Sequence, residues 1–241
     1  MPMPESGIYR AGRWVDVEQF PPPAPPIATN RPLLDGYRWE DSAGEFSTVK
    51  CSGSAEAAIG RVFARYRARV FVDGSGIIDR MKRFFTAEPD PGDPELVAGE
   101  VPPDVFEDLY LVHIPGFAPV VFVDIHAPET QEALEAELGP ALRALGAGTL
   151  SANLAREKDR RITRLVMRTL HTLCSTGRVG PVAGVRCAGQ PDANWEAFIL
   201  WAPPRLVALS GDTVGFRWVA RWDDDAVAAA TALDIKLPGS P

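Results

Sequence analysis

Proline constrains this chain more than any other residue. It supplies 23 of the 241 residues, roughly twice ordinary usage, and each one lacks the backbone N–H that a helix interior or a central strand requires. Eight of them fall within residues 1–34, with Pro21-Pro22-Pro23-Ala24-Pro25-Pro26 at their centre, and such a run favours an extended polyproline conformer. Residues 1–34 therefore read as a stiff, proline-rich lead-in laid across its own domain, with a PxxP ligand for an SH3-type module as the alternative. Residues 35–241 read as the folded domain. A second break lies at residues 86–104, where Glu88-Pro89-Asp90-Pro91-Gly92-Asp93-Pro94 marks an exposed loop.

Outside those breaks the apolar periodicity predicts ordered elements. Phe46–Cys51 reads as a short strand, and Ser54 caps a helix whose Ala58, Ile59, Val62, Phe63 and Tyr66 recur at helical spacing. The opposite face of that helix carries Arg61, Arg65 and Arg69, a stripe that is either a solvated face or an anion-binding wall. Val70-Phe71-Val72 reads as a strand ending in the turn Asp73-Gly74-Ser75-Gly76. Strands follow at Leu109–Ile114 and Val120–Ile125, then a helix at Pro128–Leu145 closing on Gly146 and a strongly periodic helix at Asp159–Cys174. Val182–Cys187 and Glu196–Trp201 read as buried strands, and Val214–Trp222 with Asp223–Leu233 as a C-terminal strand and helix. Strands and helices are interspersed without strict βα alternation and without a repeat. The pattern predicts a single domain of mixed α/β (α+β) class.

Composition narrows the function classes. With Lys plus Arg at 25 against Asp plus Glu at 32, the net charge is -7, which argues against nucleic acid and anionic membranes as partners. No stretch approaches the ~18 apolar residues of a membrane-spanning helix. Cys51, Cys174 and Cys187 are an odd set with no close pair, so a disulfide framework is not written and a cytoplasmic location is expected. His113, His126 and His171 lack the spacing of a metal site. There is no GxSxG elbow, no phosphate-binding loop and no GxGxxG.

One resemblance goes further. The segment Tyr37-Arg38-Trp39-Glu40-Asp41-Ser42-Ala43-Gly44-Glu45-Phe46, with the strand and helix that follow it through Phe63, resembles the opening of the RES-domain family. Val123-Asp124-Ile125-His126-Ala127-Pro128-Glu129, Asp159-Arg160-Arg161-Ile162-Thr163, and Ala183-Gly184-Val185-Arg186-Cys187 with Trp195-Glu196-Ala197-Phe198 resemble later pieces of that family in the same order. The resemblance implies a compact domain similar to ADP-ribosyltransferases. Many members are toxins of bacterial toxin–antitoxin pairs that consume NAD by cleaving its nicotinamide glycosidic bond, with NAD as substrate rather than as a permanently bound cofactor. The partners it implies are a small anionic nucleotide, an antitoxin protein and a second copy of the chain.

Carried over residue by residue, the resemblance places Arg38 on the family's phosphate-gripping arginine. The strand tyrosine falls on Lys50, the helix glutamate on Arg61 and the namesake serine on Gly189. A cation now stands where a carboxylate would stabilise a developing ribosyl cation. The expected catalytic set is therefore non-standard: Arg38, with Glu40 and Glu45 (and Asp41 between them) as relocated acids. The expected ligand contacts are Arg38, Lys50, Arg61, Arg186, Gly189 and Trp195, forming one cationic cleft. The alternative is a catalytically silent RES-like domain that binds a ligand or a protein partner.

Overall fold

The computed structural model describes residues 2, 4–13, 46–67, 99–116, 120–147, 149–150, 160–180, 182–188, 194–202 and 214–239. The polyproline run, the strand and turn at 70–76, most of the loop at 86–104, and Arg38, Glu40, Asp41, Glu45 and Gly189 lie outside the described residues. Among the described residues seven strands run β1 (Ile8–Arg13), β2 (Ser47–Ser52), β3 (Leu109–Ile114), β4 (Phe122–Asp124), β5 (Gly184–Ala188), β6 (Glu196–Ala202) and β7 (Gly215–Trp218). Four α-helices accompany them among the described residues, α1 (Ala55–Phe63), α2 (Pro128–Ala144), α3 (Arg160–Ser175) and α4 (Asp224–Leu233). The strands form one sheet in the order β4-β5-β6-β2-β1-β3-β7. Among the described strands only β4 and β5 pair in parallel, joined by the crossover that contains α2 and α3, as a parallel pair requires. This is the mixed α/β class that the interspersed pattern indicated.

Strand alternation sorts the side chains onto two faces. One face gathers Ile8, Val49, Cys51, Val112, Ile114, Phe122, Phe198 and Leu200 into a cluster to which no described helical residue belongs. The opposite face carries the helices in two separate clusters. In the first, Leu134, Leu138 and Leu142 of α2 meet Ile162, Val166, Met167 and Leu170 of α3 over Val185, Ala197, Ile199 and Trp201. In the second, α1 and α4 pack through Ala57, Ala58, Ala226, Ala229 and Ala230 above Leu109 and Leu111. Burying each large apolar side chain contributes about 1.5–3 kcal/mol.

Local chemistry sets the helix ends. The Ser54 hydroxyl accepts from the Ala57 amide at 3.1 Å, Pro128 opens α2, and Asp223 caps α4, which closes on Asp234 in the left-handed region. Several boundaries differ from the sequence reading. α1 stops at Phe63 and passes into a 3-10 turn, Ala64–Tyr66. β4 is shorter than Val120–Ile125, and β7 ends at Trp218 because the chain turns at Ala220–Asp223.

The largest difference is β1. It lies inside the stretch read as a lead-in, yet it pairs with β3 along its whole length, from Ile8↔Ile114 to Arg13↔Leu109. Ile-Tyr-Arg-Ala-Gly-Arg carries little β-forming pattern of its own, so only the waiting edge of β3 makes it a strand. No described helix is long and apolar enough to cross a membrane.

Candidate functional site

The sheet is split beside its central strand. β1 shares six register pairs with β3, and β2 shares six with β6, but β1 and β2 meet only at Tyr9↔Ser52. From that point the two strands diverge, leaving the β1-facing edge of β2 outside any described ladder. The side chains of β2 on the helical face are Thr48, Lys50 and Ser52, the partners of Trp201, Ile199 and Ala197. A polar row thus occupies the middle strand of seven, between two apolar clusters. A core has no packing use for such a row, and burying polar groups there costs free energy unless they find partners.

Arg61 reaches from α1 into this gap. Its Nη1 donates to the Cys51 carbonyl at 3.3 Å. No described carboxylate forms an ion pair with it, and burial pulls its pKa from 12.5 down to about 10. Arg61 is half-buried, and arginines drawn out of water ordinarily face a carboxylate. The neighbouring Ser52 Oγ is buried and finds no hydrogen-bond partner among the described residues. Lys50 joins the same locus: both Lys50 and Arg61 act on the Cys187 thiol, drawing its pKa down against the burial that raises it to about 11. Cys187 stands two strands away from Ser52 in the same row, through Ala197. Cys51 is pushed up to about 12 by burial, so both thiols are protonated and unreactive at neutral pH.

Two other expected ligand contacts are engaged elsewhere. Arg186 alternates to the opposite face, where it bridges Asp124 at 2.6 Å and Glu196. Burial is the largest single influence on its pKa and lowers it, but the two carboxylates together outweigh burial and leave the pKa raised. Trp195 is buried against α1, its indole N–H donating to Glu56 Oε1 at 3.2 Å, and it fixes the helix rather than facing the gap. The arginine stripe also divides, since Arg65 is exposed, with its Nε on the Val62 carbonyl and its guanidinium over Tyr66. Of the expected contacts within the described residues, the structure brings together Lys50 and Arg61.

Sequence reasoning missed Ser52 and the side chains of β1. Ser52 carried a signal, since Thr48, Lys50 and Ser52 alternate with Val49 and Cys51; Tyr9 carried none. Among the described residues no group of three His, Cys, Asp or Glu side chains could hold a metal ion. Compared with known proteins, the chain matches no family model, no curated protein and no solved structure.

Proposed function

We propose that this chain binds a small anionic ligand of the phosphate or nucleotide class, with Arg61 as the principal contact and Lys50 and Ser52 beside it. NAD is the member of that class to which the RES resemblance points. The observation that carries the reading is the Arg61 guanidinium, largely withdrawn from water with one carbonyl as its partner. A phosphate would supply the charge-assisted, paired hydrogen bonds that a guanidinium favours, and would take a bond from Ser52.

The same geometry favours binding over NAD cleavage. Loss of nicotinamide needs a carboxylate near the ribose. Among the described residues, Glu56 is tied to Trp195, and Asp124 and Glu196 are tied to Arg186 on the other face. An acid for cleavage would have to come from Glu40 or Glu45, with Arg38 as their partner on the ligand. The reading is therefore a RES-like ligand-binding domain of the cytoplasm, with an antitoxin or a second copy of the chain as its protein partner only if cleavage occurs.

Calorimetric titration with NAD, ADP-ribose and inorganic phosphate tests it. Losing one partner of a desolvated charged pair costs about 2–5 kcal/mol, so Arg61→Ala should bind more than tenfold more weakly. Lys50→Ala should lose less, and added salt should weaken the wild type. Nicotinamide release should stay well below about one turnover per second. Failure of the wild type to bind any of the three anions would refute the proposal, and rapid release would make the chain an enzyme.

A further inference from the structure

A groove of about 580 Å³ lies on the helical face beside the Tyr9↔Ser52 join, lined by Tyr9, His113, Gly53, Ser54 and Gly215 among others. We propose that it is a nucleobase subsite, so that the ligand of the gap is a nucleoside diphosphate or larger nucleotide rather than a free phosphate. This rests on the anion-binding reading above and adds the other end of the ligand.

One row across the sheet carries the argument. Register pairs run Ser52↔Tyr9, Tyr9↔His113 and His113↔Gly215, so these four residues stand side by side on one face. The two central rings are stacked, with centroids 4.7 Å apart and planes inclined by 17°. At both ends of the pair the row drops to a small residue, and at Gly215 no side chain stands beside His113. The aromatic stack therefore stops one ring short, in a groove with room for another. A nucleobase is a planar ring that gains stability by stacking on such side chains.

The platform is held in place. Tyr9 Oη donates to the Ser6 carbonyl at 3.3 Å and His113 Nε2 to the same oxygen at 2.9 Å; since a carbonyl only accepts, Nε2 carries a proton. That carbonyl is set by a turn in which the Gly7 amide bonds to the Pro4 carbonyl. Gly7 has φ +82, and a Cβ there would lie 2.2 Å from the Ile114 carbonyl oxygen. The groove also offers Arg217 to no second anion, because at the rim it is already paired with both Asp223 and Asp225. A neutral ring suits it better than a second anion.

The spacing selects the ligand. Ser52 and Gly215 are three strand spacings apart, roughly 14 Å, and Ser52 adjoins Cys51, whose carbonyl holds Arg61. A base beside Gly215 needs a ribose and a diphosphate to reach the guanidinium.

The test compares ADP with inorganic pyrophosphate by calorimetry on wild type, Gly215→Val, His113→Leu and Arg61→Ala. A Cβ at Gly215 meets only the His113 Cβ, at 3.9 Å, so Gly215→Val fills the ring's place without straining the fold. His113→Leu removes the ring and keeps bulk. Both should weaken ADP about tenfold or more and leave pyrophosphate unchanged, whereas Arg61→Ala should weaken both probes. If both groove variants bind ADP as the wild type does, or lose pyrophosphate to the same extent, the subsite is wrong and the anion reading stands. If pyrophosphate does not bind the wild type while ADP binds and responds to Gly215→Val, the anion reading fails and the subsite stands.

Discussion

Arg61 shows what a single residue can cost a fold. Its folded pKa, about 10, lies below its ordinary 12.5 because burial disfavours the charged form. Between those values the unfolded chain binds more protons than the folded one, so stability from this group rises with pH across that window. Below about pH 10 the full cost of the buried charge is present. Arg61→Met keeps a long side chain and discards the charge, and by analogy with apolar replacement of buried ionic groups it should stabilise the protein by about 1–2 kcal/mol. Thermal melting at pH 7.5 reads this as a higher midpoint, together with loss of phosphate binding. For the wild type, phosphate affinity should fall as pH passes about 10, where Arg61 loses its proton. A lower melting point for Arg61→Met would mean that the guanidinium stabilises the fold and has a partner of its own.

At the scale of the element, α1 is positioned by what it lacks. Ala57, Ala58 and Gly60 give it a low profile, and a Cβ on Gly60 would lie 2.1 Å from the Trp195 ring. That close approach brings Arg61, the next residue, down to the Cys51 carbonyl. Gly60→Ala should gain up to about 1 kcal/mol in helix propensity, yet overpacking of a core typically costs about 1–3 kcal/mol. The net change expected in urea unfolding is destabilising. Trp195→Leu should relieve it, so the double variant should be less destabilised than the sum of the single ones. Additive losses would show that α1 shifts freely and that Trp195 does not set its height. The cap and periodicity of α1 were plain in the sequence; its contact with Trp195 was not, because the two are 135 residues apart in the chain.

For the whole molecule, the join at Tyr9↔Ser52 is the decisive feature. β1 is the described strand that links β3 and β7 to the rest of the sheet, and it does so through that pair. A dispensable lead-in could be removed without harm. Deleting residues 1–13 removes Ile8 from the helix-free cluster, Tyr9 from the stack and a whole ladder from β3. The truncated chain should lose its cooperative thermal transition, followed by circular dichroism, and should bind dye to exposed apolar surface. A truncated protein that melts like the full chain would show that β3 finds another partner.

The class of fold and the main helices were legible along the chain, and the alternation of β2 carried an unread signal for its apolar and polar sides. Each of these depends on neighbours close along the chain: a period of two for strands, a period near 3.6 for helices, a serine before the first turn. The sequence also placed Lys50 and Arg61 among the candidate cations. Tertiary structure decided which candidates meet. Lys50 and Arg61 converge because β2 and α1 are consecutive and the helix folds back over the strand. Arg186 departs because its place in the alternation of β5 points it to the other face, where Asp124 and Glu196 take its charge. The row Ser52, Tyr9, His113 and Gly215 joins four strands whose order and register come from long-range pairing. Strand alternation tells each residue which face it occupies; only the pairing of distant strands tells it who stands beside it.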